Sequence, residues 1–293
     1  MHVFVTGGSG LIGSPVVTEL LSHGHAVAAL ARSDASAAAL DAAGATPVRG
    51  SLADLPTLRS AAAQADGVIH LAFSNDFTSA ETVAHGIAEE GAALAAIGDE
   101  LVGSGRPLVT VSGTPQALGR ASTEADPIPT DGIVGGRGLS VTAILDLASR
   151  GVRSVAVRLP RTVHKDGAGG FAFLLAQIAR GAGVSGYLGD GSQRWPAVHA
   201  LDAAVLLRLA LENAPAGTAW HAVADEGDTM LDIATVIGRR LDVPVREVPS
   251  ETFGPLAEVF AADQPSSSAV TRRELGWEPT HPSLLADLEN LRP

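Results

Sequence analysis

The sequence has no cysteine, and in 293 residues it has a single tyrosine, Tyr187, and a single lysine, Lys165. The missing cysteine excludes disulfides, thiolate catalysis and cysteine-ligated metal. His85 and His221 are isolated, and no His-x-x-x-His pattern or carboxylate cluster suggests a metal site. Positive charge is also scarce: 20 Lys and Arg stand against 32 Asp and Glu. The net charge of -12 argues against nucleic acid or an anionic membrane as partner. No uninterrupted apolar run is long enough to span a bilayer, and no basic-then-apolar leader precedes the first strand. These absences predict a soluble cytoplasmic protein acting on a small molecule.

A hydrophobic fraction of 46% supports a sizeable core, and the length suits a nucleotide domain with a smaller partner lobe. The chain opens on His2-Val3-Phe4-Val5-Thr6, a short apolar run, followed by Gly7-Gly8-Ser9-Gly10-Leu11-Ile12-Gly13. Val16, Leu20 and Leu21 then follow at helical spacing, so the stretch reads as strand, tight turn and helix. A helix N-terminus carries free amides and positive dipole character, so this turn predicts a pyrophosphate site. Gly7 and Gly10 permit the turn and a close approach of the ligand, and Gly13 lets the helix lie against the strand. Ser9, Leu11 and Ile12 complete the cradle.

Ala26 to Leu30 reads as a second strand, and at its end stand Arg32 and Ser33 where an acidic residue would grip the ribose of NAD. A guanidinium beside a hydroxyl suits a 2′-phosphate, which favours NADP over NAD, although Asp34 can turn back to a ribose. Thr46 to Arg49 is a third strand. Ser51 and Leu52 lie at its end near an adenine, and Asp54 caps the next helix. Gly67 to Phe73 is a fourth strand, with Ala72 and Phe73 leaving it on the ligand side. A long alanine-rich helix from Ser79 to Val102 precedes a fifth strand, Pro107 to Ser112. Alternating units of this kind predict an α/β, doubly wound parallel sheet of Rossmann type. Residues 1–160 are expected to form the NAD(P)-binding domain, with 198–223 crossing back to it. Residues 161–197 and 224–293 are expected to form a smaller C-terminal substrate lobe. Within the tail, 265–268 reads as a linker, and the stretch at 271–277, too short for a domain of its own, is expected to pack onto the lobe.

The motif Thr6-Gly7-Gly8-Ser9-Gly10-Leu11-Ile12-Gly13, the strand end His70-Leu71-Ala72-Phe73 and Val109-Thr110-Val111-Ser112 resemble the extended short-chain dehydrogenase/reductase family, also called the NAD-dependent epimerase/dehydratase family. Val157-Arg158-Leu159-Pro160 and Trp195-Pro196-Ala197-Val198-His199-Ala200-Leu201-Asp202 extend the resemblance over nearly the whole chain. The resemblance implies hydride chemistry on a carbonyl, a serine or threonine matched by Ser112, and a homodimer through helices near 80–103 and 137–150. It also implies a Tyr-x-x-x-Lys pair, which this chain lacks because Lys165 precedes Tyr187. Ile133 falls near the tyrosine position and Arg137 near the lysine position. Arg137 can hold a ribose or phosphate but cannot shuttle protons.

The chain is therefore similar to the atypical members of the family. The leading expectation is an NADP(H)-dependent reductase of a small carbonyl or imine compound, with Ser112 holding substrate and His164 or Tyr187 as candidate proton donors. Arg194 and Trp195 are candidates for the pocket lining, and His199 and Asp202 for a strand-to-helix anchor. The rival readings are a non-catalytic NAD(P) sensor and a non-redox isomerase or lyase on the same scaffold.

Overall fold

The first strand, β1 (His2–Thr6), has four of its five residues buried, and it is an inner strand of a sheet, with other strands on both sides. The computed structural model describes residues 1–74, 79–131 and 135–292. Ile133, expected near the tyrosine position, lies outside the described residues.

From β1 the chain runs through α1 (Gly13–Ser22), β2 (Ala26–Ala31), α2 (Asp34–Ala42), β3 (Thr46–Arg49), α3 (Leu55–Gln64) and β4 (Gly67–His70). It continues through α4 (Ala80–Leu101), β5 (Pro107–Gly113), α5 (Gly135–Asp146) and β6 (Arg153–Leu159). The fourth strand is shorter than expected: it ends at His70, and Leu71 to Phe73 already belong to the loop at the sheet's edge. Ser79 and Asp54 begin α4 and α3 by accepting the amides of Thr82 and Thr57, so the capping expected of Asp54 is its role.

The second half contains β7 (Thr162–His164), α6 (Gly170–Ala182), β8 (Ser185–Tyr187), β9 (Arg194–His199), α7 (Ala200–Asn213) and β10 (Thr218–His221). It ends with β11 (Asp225–Thr229), α8 (Met230–Leu241), β12 (Val245–Glu247), α9 (Ala257–Ala261), α10 (Ala269–Leu275) and α11 (Leu284–Leu288). Seven strands pair in parallel in the order β10-β6-β5-β4-β1-β2-β3, so every crossover can be right-handed with helices on both faces. One face packs Val3, Val5, Val109 and Val157 against α1 and α7; the other packs Phe4, Val68 and Leu108 against α3, α4 and α5. Strand residues therefore alternate between two cores, as a sheet covered on both sides requires.

A third core fills the smaller C-terminal lobe, where Trp195, Met230, Ile233, Phe253 and Phe260 cluster around the β11-β9-β7 and β12-β8 sheets. Two features of the tail differ from expectation. The serine-rich segment at 265–268 is no linker. Ser122 donates its amide to Pro265 O at 2.9 Å, Ser266 donates to Glu226 O at 2.9 Å, and Ser266 is fully buried. Each of its small residues lets the backbone lie between two neighbouring segments and satisfy both. The helix α10 and Trp277 pack on α7 and β10 rather than on the lobe, with Trp277 Nε1 donating to Asp202 O at 2.9 Å. Among the described residues no helix is long and apolar enough to cross a membrane.

Trp277 is 0% exposed and joins the core that also holds β1, so Trp277→Ala should cost about 3–5 kcal/mol. Urea unfolding of the full chain measures this directly.

Candidate dinucleotide and substrate site

Parallel packing puts the C-terminal ends of β1 to β5 along one edge, and that edge collects most of the residues expected to bind. Gly7, Ser9, Gly10, Leu11, Ile12 and Gly13 follow β1, and Arg32 follows β2. Ser51 and Leu52 follow β3, Ala72 and Phe73 follow β4, and Ser112 is the last residue but one of β5. Open α/β sheets bind ligands at this edge.

Two glycines shape the turn after β1. Gly7 has φ of 73°, and a Cβ there would lie 2.8 Å from the Ala72 amide nitrogen, so the turn is pressed against the loop leaving β4. A Cβ on Gly13 would overlap the Gly7 carbonyl oxygen, which shows how closely the head of α1 lies on β1. Gly10 differs: a Cβ there would meet nothing in the protein closer than Gly7 O at 3.4 Å. The space beside Gly10 is open, at the start of the turn that leads into α1, which fits a pyrophosphate that must come close to the backbone. Leu11 is 41% exposed and lies against Gly169, in the loop that follows β7.

Beneath the turn, a polar row crosses three strands. Thr6, His70 and Thr110 are register partners on β1, β4 and β5, and all are fully buried. Thr6 Oγ1 accepts the Leu71 and Ala72 amides at 3.2 Å each, so its own proton goes to His70 Nδ1 at 3.0 Å. This leaves His70 with its proton on Nε2 and neutral. Burial first, and then the nearby Arg137 guanidinium, pull the His70 pKa down to about 3.

Arg137 stands in the first turn of α5, near the edge as expected, but its fork is engaged. Nε and Nη2 donate to the two Glu90 oxygens at 2.7 and 2.8 Å, and the guanidinium lies 4.1 Å from the centre of the Phe73 ring. Glu90 is only 2% exposed, in the middle of α4. No sequence signal singles it out, because Glu89-Glu90 among alanines reads as a solvated helix face and its partner lies 47 residues away. The pair fixes a positive charge beside the β4 loop.

Ser112 is 8% exposed, and among the described residues its hydroxyl has no hydrogen-bond partner. His164 is 2% exposed, with Nδ1 3.0 Å from Asp287 Oδ2 and its ring edge-on to His199 at 5.4 Å. Burial raises the Asp287 pKa, but its bonds from His164 and the Gly167 amide outweigh that and hold the carboxyl below its ordinary value. Tyr187 ends β8, paired with Glu247 of β12 and packed at the margin of the lobe's core. It is a strand residue and not part of a loop lid. Among the described residues, no hydrogen bond joins His164 or Tyr187 to Ser112.

Of the two residues expected to line a pocket, Arg194 does line an open one, with Leu188, Gln193 and Asp263, while Trp195 does not. Arg194 gives Nε and Nη2 to Asp263, at 3.1 and 2.8 Å, and Trp195 is fully buried. The cation facing Trp195 is instead Arg161, 5.4 Å from its ring, whose Nη2 donates to Gln264 Oε1 at 2.5 Å. Gln264 in turn donates to Thr114 O at 2.5 Å, two residues beyond Ser112, so Arg161 and Gln264 tie the lobe to the edge of the sheet. Burial lowers the Arg161 pKa to about 10. His199 anchors the strand-to-helix junction by accepting the Leu201 amide at 3.2 Å, whereas Asp202 accepts the Thr280 and His281 amides and so holds the C-terminal segment onto the start of α7. Among the described residues no group of three or more His, Cys, Asp or Glu is placed to hold a metal ion.

The depressed His70 pKa has a definite sign. Between pH 6.5 and 3 the unfolded chain binds a proton at this position that the folded chain refuses, so stability is full above pH 6.5 and is lost as pH falls. His70 alone should contribute a slope of about 1.4 kcal/mol per pH unit in that window, and His221, lowered to about 4 by burial, adds to it. Urea unfolding at pH 7, 6 and 5 should show the slope, and His70→Asn should reduce it by the share of one proton.

With this geometry in place, the comparisons with known proteins agree. The NAD dependent epimerase/dehydratase family matches residues 3–124. An uncharacterized protein of Schizosaccharomyces pombe is 45% identical over 98% of this chain and 98% of its own. In three dimensions, Pal from Bacillus thuringiensis superposes with a TM-score of 0.79 at 20% identity, covering 99% of this chain and 98% of that one. The dTDP-glucose 4,6-dehydratase DesIV from Streptomyces venezuelae, solved with NAD bound, gives a TM-score of 0.78 at 20% identity over 99% and 96% of the two chains. The glycine turn under α1, the parallel seven-stranded sheet and the full-length relative together show that this chain belongs to the NAD-dependent epimerase/dehydratase family, whose scaffold serves a nicotinamide dinucleotide.

Proposed function

We propose that this chain is an NADP(H)-dependent reductase of a small carbonyl or imine compound. The observation that carries the reading is the Ser112 hydroxyl, buried at the ligand edge without a partner. A buried donor left unpaired costs about 1–3 kcal/mol, a cost that a substrate oxygen or nitrogen accepting its proton removes. When bound, the cofactor supplies the hydride. Ser112 orients the acceptor atom and polarises it, and the Arg137–Glu90 pair holds a fixed charge beside Phe73. The proton comes from His164, whose Nδ1 faces Asp287 and whose buried Nε2 has no partner among the described residues, from Tyr187 at the end of β8, or from water. Arg32 is exposed at the end of β2, with no ion pair among the described residues, and this supports NADP over NAD. A cytoplasmic homodimer through the outer faces of α4 and α5, where Leu139 is 60% exposed, completes the reading.

One observation favours a second reading, a dinucleotide sensor without turnover. The guanidinium nearest the family's lysine position is held by Glu90, and among the described residues no titratable side chain is bonded to Ser112. Following NADPH absorbance with a panel of ketones, aldehydes and imines separates the two. Consumption that falls roughly 10²-fold or more in Ser112→Ala supports the reductase, taking the low end of what a positioned proton-handling group contributes. Tight NADP binding without any consumption supports the sensor. In the same preparation Arg32→Ala should weaken NADP more than NAD, and equal losses would remove the basis for choosing NADP.

A further inference from the structure

The edge beside Arg32 holds a second guanidinium that the NADP reading does not use. Strands β2 and β3 are in register with Ala31 opposite Arg49, so Arg49 stands next to the last residue of β2 and one position from Arg32. Its Nη2 pairs at 2.9 Å with Asp34, a carboxylate fully exposed at the start of α2. Ser33, which the sequence offered as a phosphate ligand beside Arg32, is otherwise engaged. Its hydroxyl accepts the Ser36 amide at 3.1 Å, its amide donates to Ser36 Oγ at 3.0 Å, and the two form the cap of α2. Two cations and one carboxylate therefore surround the place where a dinucleotide seated on the Gly7–Gly13 turn puts its adenosine ribose.

A lone carboxylate there would repel a 2′-phosphate and accept a hydrogen bond from a 2′-hydroxyl. Arg49 holds that carboxylate, and an ion pair this exposed is weak. A phosphate dianion offers a guanidinium more charge and a matching pair of oxygens, so Arg49 can exchange Asp34 for the phosphate without disturbing the fold. We propose that Arg49 is a second reader of the adenosine 2′-phosphate and that Asp34, its resting partner, opposes it. The trio Arg32, Asp34 and Arg49 then sets the choice between phosphorylated and unphosphorylated dinucleotides. This inference rests on the NADP reading above.

The test is calorimetric titration of the full chain with NADP, with NAD, and with the fragments adenosine 2′,5′-bisphosphate and adenosine 5′-monophosphate, which need no turnover. Arg49→Gln should raise the Kd for NADP and the bisphosphate about tenfold while leaving NAD and the monophosphate within about twofold. Arg49→Lys should recover part of the loss, because the charge remains and the fork does not. Asp34→Asn should tighten NADP about two- to threefold, and the preference for NADP should shrink as salt rises through the Debye-screening range. Thermal unfolding of each ligand-free variant checks that the fold is unchanged.

If Arg32→Gln lowers NADP affinity but Arg49→Gln does not, or if Arg49→Gln weakens all four ligands equally, Arg49 is no reader and the NADP reading stands without it. If the unsubstituted chain shows no preference for NADP and Arg32→Gln changes nothing, the NADP reading falls and this inference with it.

Discussion

The head of α1 lies so close to the end of β1 that Gly13 has no room for a Cβ against the Gly7 carbonyl. The ligand edge is built around that contact. The head of α1 lies on the turn, and the turn lies with Gly7 against the Ala72 amide. The loop leaving β4 is thereby held beside the turn, and Thr6 secures it from below by accepting both the Leu71 and Ala72 amides. A helix dipole binds an anion usefully only when its amides are fixed before the ligand arrives. Here the fixing is done by backbone packing, and side chains only reinforce it.

Charge at this edge is handled by pairing. Glu90 and Arg137 are both drawn in from solvent, and their two hydrogen bonds make up for the lost hydration. The result is a guanidinium held in one place beside the β4 loop. His70, close by, is kept neutral by burial and by that same guanidinium. What the structure offers at Ser112 itself is a buried hydroxyl free to hydrogen-bond and orient a ligand atom. The lobe is attached on similar terms: Arg161 and Gln264 reach Thr114, and Asp202 receives the chain at 277–281.

Most of the nucleotide half was legible because its signals are local. A short apolar run, three glycines and an amphipathic segment occupy neighbouring positions, and the alternation repeats through β5. The lobe was harder to read for a physical reason. Its strand β11 is Asp-Glu-Gly-Asp-Thr, which carries no apolar alternation, and β8 and β12 have three residues each. They are strands because partners distant in sequence hold them. The same distance hid the site's pairs: Glu90 meets Arg137 across 47 residues, and His164 meets Asp287 across 123. His164 could be named as a titratable group in the right half of the chain, but only the fold reveals that its Nδ1 is taken. The polar Pro-Ser-Ser-Ser stretch reads as a linker because a buried segment of small polar residues becomes stable only when both of its neighbours are present.

The central claim is that the turn after β1 holds a dinucleotide pyrophosphate, and Gly10→Ala tests it most directly. A Cβ at that position meets no protein atom closer than 3.4 Å, so the variant should unfold with the parent chain. The same Cβ enters the space reserved for phosphate, and calorimetry should show dinucleotide affinity falling by about tenfold or more. Unchanged affinity in this variant, or no binding by the parent chain at millimolar NADP or NAD, would contradict the account.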